Sequence, residues 1–179
     1  DNPDVGGDFE ANARDIASGP LAGRPTETLL VRELGTGARA AIKLPGTPWL
    51  GDEAVARRLL TEHTHAHAVH HAGVVRIDQA GRTATGLPYL VMELLDGENL
   101  GALLDRGPLA IGAAVAIAAQ VADAAAAIHD AGLVHCDLKP DNVMLLYHPG
   151  LAGWPAAKVV DFGVARRAGG ALEEIAGTP

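Results

Sequence analysis

The chain has 179 residues, of which 48% are hydrophobic, 20% charged and only 3% aromatic. That composition excludes a disordered, collagenous or mucin-like chain, and the length allows one domain or two small lobes around a real core. A formal net charge of −8 argues against nucleic-acid binding through a broadly basic surface.

Residues 1–19 mix Gly, Asp, Asn and Pro and read as a loose lead-in with no signal-peptide pattern. Asp1 is not a start methionine, so the chain is expected to be a piece of a longer protein. Thr28 to Leu34, then Gly35-Thr36-Gly37, then Ala38 to Lys43 read as strand, tight turn, strand. A helix is expected from Asp52 to about His70, with Val55, Leu59, Ala66 and Val69 on one side. Val74 to Ile77 and Leu87 to Met92 read as two more strands joined by a turn over 81–86, and Asp96-Gly97 breaks the pattern. A short helix near Leu100 to Asp105 precedes a long Ala-rich helix from Ile111 to Ala131, with Gly132 in the C′ position. Gln120 and Asp123 interrupt that helix, so it is expected to be a buried helix of a folded domain rather than a membrane span. Leu133-Val134, Val143 to Leu146 and Lys158 to Val160 read as short strands, and the stretch from Ala165 onward has no strong period. The organisation is therefore a strand-rich half with one helix, a break near 93–97, and a helical half.

Cys136 is the one cysteine, which implies no internal disulfide and a reducing compartment, the cytoplasm. It stands inside the most informative stretch of the chain, His135-Cys136-Asp137-Leu138-Lys139-Pro140-Asp141-Asn142. Asp161-Phe162-Gly163 follows nineteen residues after Asn142, and Ala40-Ala41-Ile42-Lys43 ends ninety-four residues before Asp137. Phosphoryl transfer needs this set: a lysine for nucleotide phosphates, two oxygen ligands for Mg²⁺, and a carboxylate for the substrate hydroxyl proton. Lysine usage adds weight, because the chain has three lysines against eleven arginines, and Lys43 and Lys139 occupy two of these positions.

These motifs resemble the eukaryotic-type (Hanks-type) protein kinase family, and its bacterial Ser/Thr branch in particular, from about Leu21 to Pro179. The resemblance implies an α+β, two-lobe, protein-kinase-like fold. It divides the chain into a lead-in over 1–19, a first lobe over 20–92, a hinge over 93–97, and a partial second lobe over 98–179 ending in the activation segment. It implies ATP and Mg²⁺ as cofactors and a protein substrate bearing Ser or Thr, in a signalling role. By the same resemblance Asp137 is the catalytic base, Lys139 lies near the transferred phosphoryl, and Asn142 and Asp161 are the magnesium ligands. Lys43 holds the α/β-phosphates and Glu62 is its helix partner. Met92 is the gatekeeper, Glu93 to Leu95 form the adenine hinge, and Ala41 and Met144 enclose the base. Gly177-Thr178-Pro179 resembles the start of the substrate-side loop.

Three departures qualify the match. The phosphate-covering loop falls by register on Ala22 to Glu27, where Ala22, Arg24 and Glu27 replace three glycines and Pro25 lacks an N–H. Cys136 replaces the arginine of the catalytic loop and is expected to be a buried, inert thiol. No Ser, Thr or Tyr lies between Gly163 and Gly177, so loop phosphorylation is not the expected switch. Two other readings stay open at this stage: a nucleotide-binding pseudokinase scaffold, favoured by the altered loop, and a small-molecule phosphotransferase. As a fragment, the chain is expected to be inactive, with an apolar face of the Ala-rich helix uncovered. Outside these motifs, His63, His67 and His70 share a helix face at spacing compatible with zinc or with a solvated, pH-sensitive surface.

Overall fold

A computed structural model describes residues 9–11, 25–147 and 155–169. Of the expected phosphate loop from Ala22 to Glu27, residues 22–24 lie outside the described residues, as does the 177–179 stretch, while Thr26 and Glu27 already belong to a strand.

Five antiparallel strands make the first sheet, in the order β1-β2-β3-β5-β4. These are β1 (Phe9–Ala11), β2 (Thr26–Glu33), β3 (Arg39–Pro45), β4 (Ile77–Arg82) and β5 (Pro88–Glu93). Alternation sorts their side chains. Ile42 and Leu44 join Val31, Tyr89 and Val91 in a cluster on one face of the sheet. The intervening Ala41 and Lys43 line the cleft beside Met92 on the opposite face. Gly37 closes the β2–β3 turn with φ of 72°, and its N–H donates to the Glu33 carbonyl at 2.8 Å. Helix α1 (Glu53–His67) starts where Asp52 accepts the N–H groups of Ala54 and Val55. Its Val55, Leu59 and Ala66 pack with Leu90, Ile77 and Phe162 in the cluster that joins the two halves of the molecule.

The second half comprises α2 (Leu100–Asp105), α3 (Ile111–Asp130), a three-stranded sheet and a two-stranded one. The first of these sheets has the order β6 (Gly97–Asn99), β8 (Val143–Leu146), β9 (Ala156–Val159); the second pairs β7 (Leu133–Val134) with β10 (Arg166–Arg167). Gly132, at φ of 72°, ends α3 as its position implies. The two polar residues near the middle of α3, Gln120 and Asp123, both have partners. Gln120 donates to the Pro155 carbonyl and accepts from the Ala157 N–H, while Asp123 meets His71 at 3.2 Å.

The expectation of a buried α3 holds for one stripe only. Ile117, Ala124 and Ile128 are buried, whereas Ile111 is 83% and Val115 62% exposed. The helix is long and apolar enough to cross a membrane by length and composition, yet Ile128 and Ala124 sit in the shared core beside Val159. Several boundaries also differ from the pattern reading. Phe9–Ala11, in the expected lead-in, pairs with β2. Helix α1 stops at His67 rather than about His70. Val74 and Val75 precede β4, the Val75 N–H donating to the Val159 carbonyl and the Val159 N–H to the Gly73 carbonyl, so the fourth strand begins at Ile77. Gly81 lies within β4, and the turn falls over 83–87, held by the Thr83 hydroxyl accepting the Leu87 N–H. Gly97 belongs to β6, β9 ends at Val159, and Arg166-Arg167 make a strand that the weak local pattern hid.

Candidate active site

Between the halves lies a cleft of about 750 Å³ lined by residues of both. Ala41, Lys43, Glu62, Met92, Glu93, Leu95, Asp137, Lys139, Asn142, Met144 and Asp161 all line it. The structure thus brings every candidate site residue to one place, from β3, α1, β5, the 135–142 loop, β8 and the end of β9.

At the back of the cleft, the Lys43 ammonium donates to both carboxylate oxygens of Glu62 at 2.8 Å and to Asp161 Oδ1 at 3.0 Å. Glu62 is only 2% exposed. Burial opposes charge on Lys43, but the Glu62 and Asp161 carboxylates outweigh it and hold its pKa above the ordinary lysine value. Burial also pushes the Glu62 carboxyl up, against the pull of Lys43. With two carboxylates around one ammonium, Lys43 stays charged. Asp161 has burial against it as well, yet Lys43 and the Gly163 N–H keep it below the usual carboxylate range.

The 135–142 loop is held by bonds within itself and by two bonds to Val160, the neighbour of Asp161. Asn142 Nδ2 donates to the Asp137 carbonyl at 2.9 Å and to Asp137 Oδ2 at 3.0 Å. Lys139 Nζ reaches the same Oδ2 at 2.8 Å. The Val160 N–H donates to the Asn142 carbonyl, which fixes the loop to the strand leading into Asp161. His135 is the anchor beneath: its Nε2 meets the Val160 carbonyl at 3.1 Å, its Nδ1 accepts the Asp137 N–H, and its ring stacks edge-on against Phe162 at 5.1 Å. A carbonyl partner requires the Nε2–H tautomer.

Among the described residues, two non-glycine residues have positive φ, Cys136 at 64° in the 135–142 loop and Asp161 at 66° in the cleft. Such backbone is uncommon outside glycine and persists only where surrounding contacts dictate it. It also corrects the expectation for Cys136, whose thiol is exposed rather than buried, with Sγ donating to the Val134 carbonyl at 3.4 Å.

At the base-facing side, Ala41 pairs with Met92 across β3 and β5. Met144 on β8 lies opposite Asn99 of β6. Gly97 permits a close approach there, since a Cβ at that position would stand 2.0 Å from the Leu145 carbonyl oxygen. The sequence reading overlooked Lys158, whose Nζ meets Glu93 Oε1 at 2.6 Å, while the same oxygen accepts the Arg76 N–H at 2.8 Å. The signal was available: Lys158 is the third of only three lysines, three residues before Asp161. Arg58, also missed, lines the cleft beside Glu62 and Asp161, and its guanidinium lies over Gly163.

Fold and cleft together define a two-lobed architecture with a polar cleft between a small sheet and a helical half, and the comparisons with known proteins name its class. A family model described as "Protein kinase domain" matches residues 22–179, and the chain belongs to that family. It is 38% identical over 183 residues to the serine/threonine-protein kinase Pkn1 of Myxococcus xanthus, covering 91% of this chain and 26% of Pkn1. It is 35% identical over 168 residues to the serine/threonine-protein kinase PkaA of Streptomyces coelicolor, covering 91% of this chain and 28% of PkaA. Against the serine/threonine-protein kinase PknB of Mycolicibacterium smegmatis the figures are 32% over 148 residues, 80% and 23%. The chain spans about a quarter of the length of these curated relatives.

Proposed function

We propose that this chain is the nucleotide-binding and catalytic part of a longer cytoplasmic Ser/Thr protein kinase, which transfers the γ-phosphoryl of ATP to a Ser or Thr hydroxyl. The observation that supports the reading is a pair of polar clusters along one cleft, Lys43 with Glu62 and Asp161, and Asp137 with Asn142 and Lys139.

In this reading the apolar end of the cleft takes the adenine between Ala41 and Met144, with Met92 behind it and Glu93 to Leu95 along its edge. Lys43, charged and oriented by Glu62, meets the α- and β-phosphates. Asp137 accepts the proton of the substrate hydroxyl as the hydroxyl oxygen forms its bond to the γ-phosphorus and the bond to ADP breaks. Lys139 supplies positive charge beside the oxygen that carries the transferred group. Asn142, bonded twice to Asp137, holds that carboxylate in place.

The donor set fits Mg²⁺. Asp161 Oδ1 is engaged by Lys43 and Gly163, which leaves Oδ2 as an ionised oxygen donor. Asn142 turns its amide nitrogen to Asp137, leaving its carbonyl oxygen as a second hard donor. One or two protein oxygens plus phosphates and water are what this ion ordinarily takes. When bound, the ion neutralises phosphate charge.

Pro25 and Glu27 line the cleft and favour weak phosphate ordering, so a nucleotide-binding scaffold is the second reading. Titration calorimetry with ATP, with and without Mg²⁺, separates the two. The enzyme reading expects binding that strengthens at least tenfold with Mg²⁺ and loses that gain in Asp161→Asn. Binding indifferent to Mg²⁺ supports the scaffold.

A further inference from the structure

The outer face of α1 carries a histidine cluster that phosphoryl transfer does not use. His63 and His67 stack with ring centroids 5.4 Å apart and planes 24° apart, and His70 meets His67 edge-on at 6.1 Å. His67 and His70 are exposed and His63 is half-buried, so solvent reaches the group. We propose that His63 and His67 form a two-imidazole site for a borderline divalent transition ion such as Zn²⁺ or Cu²⁺, with water completing the coordination.

Residues four apart on a helix project from one face one turn apart, which is why His at i and i+4 is a recurrent zinc-binding spacing. His63 and His67 have that spacing, and their facing rings show that the rotamers already bring the two imidazoles together. No three His, Cys, Asp or Glu groups converge on a common point among the described residues, so the site is bidentate and exchangeable rather than a closed structural cage. His70 stands close enough to join only by rotating.

The site has a structural consequence. An ion bridging residues 63 and 67 clamps the last full turn of α1, directly after Glu62. Because the two rings are poised only in the folded helix, the ion stabilises the fold by mass action. Imidazole prefers Cu²⁺ and Zn²⁺ over Mg²⁺, so this face and the cleft do not compete for the same ion.

Calorimetric titration of the chain with zinc chloride at pH 7.5 tests the proposal, with no nucleotide present. The result expected is a 1:1 event that His67→Gln weakens at least tenfold and that His65→Gln, on another face, leaves within twofold. Excess Mg²⁺ should not displace it. Equal binding by His67→Gln, or equal loss in His65→Gln, overturns the assignment. If a variant unfolds, histidine ring signals in long-range nitrogen-correlated NMR of the unsubstituted chain decide. Zinc must move His63 and His67 first, and leading shifts elsewhere reject the site.

Discussion

Replacing Lys43 by Met removes the one ammonium that serves both Glu62 and Asp161. The magnitude follows from the burial: the two side chains of the main pair are 11% and 3% exposed, so solvent cannot take over when one is lost. Stripping one partner from a buried pair costs roughly 3–5 kcal/mol. Asp161 contributes little to that penalty, because its side chain is 39% exposed and water can solvate it. Glu62 can escape by taking a proton, and its pKa is already raised by burial, which places the net cost near the lower bound, about 3 kcal/mol at pH 7. With a urea m-value of about 2 kcal/mol per molar for a small domain, the midpoint falls by about 1.5 M. The penalty should shrink as pH falls, because protonation of Glu62 removes the orphaned charge. The double variant Lys43→Met/Glu62→Leu should recover to within about 1 kcal/mol of the parent, since an apolar pair replaces a charged one. The assay is urea unfolding followed by far-UV circular dichroism. A single variant as stable as the parent, or a double variant no better than the single, refutes the reasoning.

Gly97→Ala should destabilise by about 1–3 kcal/mol in the same assay, because its new methyl must displace the Leu145 carbonyl that stands 2.0 Å away and disturb the β6–β8 pairing. Carboxyl ¹³C NMR should show Asp161 titrating below the ordinary aspartate value and Glu62 above the ordinary glutamate value. The linked stability follows by sign. The Asp161 contribution is present above its unfolded pKa and lost as pH falls through the lower folded one; the Lys43 contribution is present below its unfolded pKa and lost as pH rises through the higher folded one.

The polar residues that line the cleft stand out in the sequence for a chemical reason. Lys43, Asp137, Lys139, Asn142 and Asp161 are polar residues at fixed offsets in a chain otherwise rich in alanine, so each stands out. Hairpin and helix ends with local causes also read well: the Gly35-Thr36-Gly37 turn, the Asp52 cap and the Gly132 stop are set by neighbours in sequence. The misread elements depend on distant partners. Strands β6 and β10 have three and two residues, and only pairing with β8 and β7 defines them. Val74 and Val75 looked like strand residues, but Val159 and not β5 takes their backbone. Cys136 is exposed and has positive φ, and composition encodes neither. Lys158 was visible only as a rare residue until Glu93 was found beside it.

The most direct test of phosphoryl transfer uses ATP labelled at the γ-phosphate, a generic basic protein substrate and the longer protein proposed to contain this chain, with and without Asp137→Asn. The substitution keeps the size of the side chain and its contact with Asn142 while removing the proton acceptor. Mg²⁺-dependent label on Ser or Thr that falls at least a hundredfold in the variant, with ATP affinity unchanged within about threefold, is the predicted result; labelling at near-parental rate would contradict the assignment of Asp137 and the enzyme reading with it.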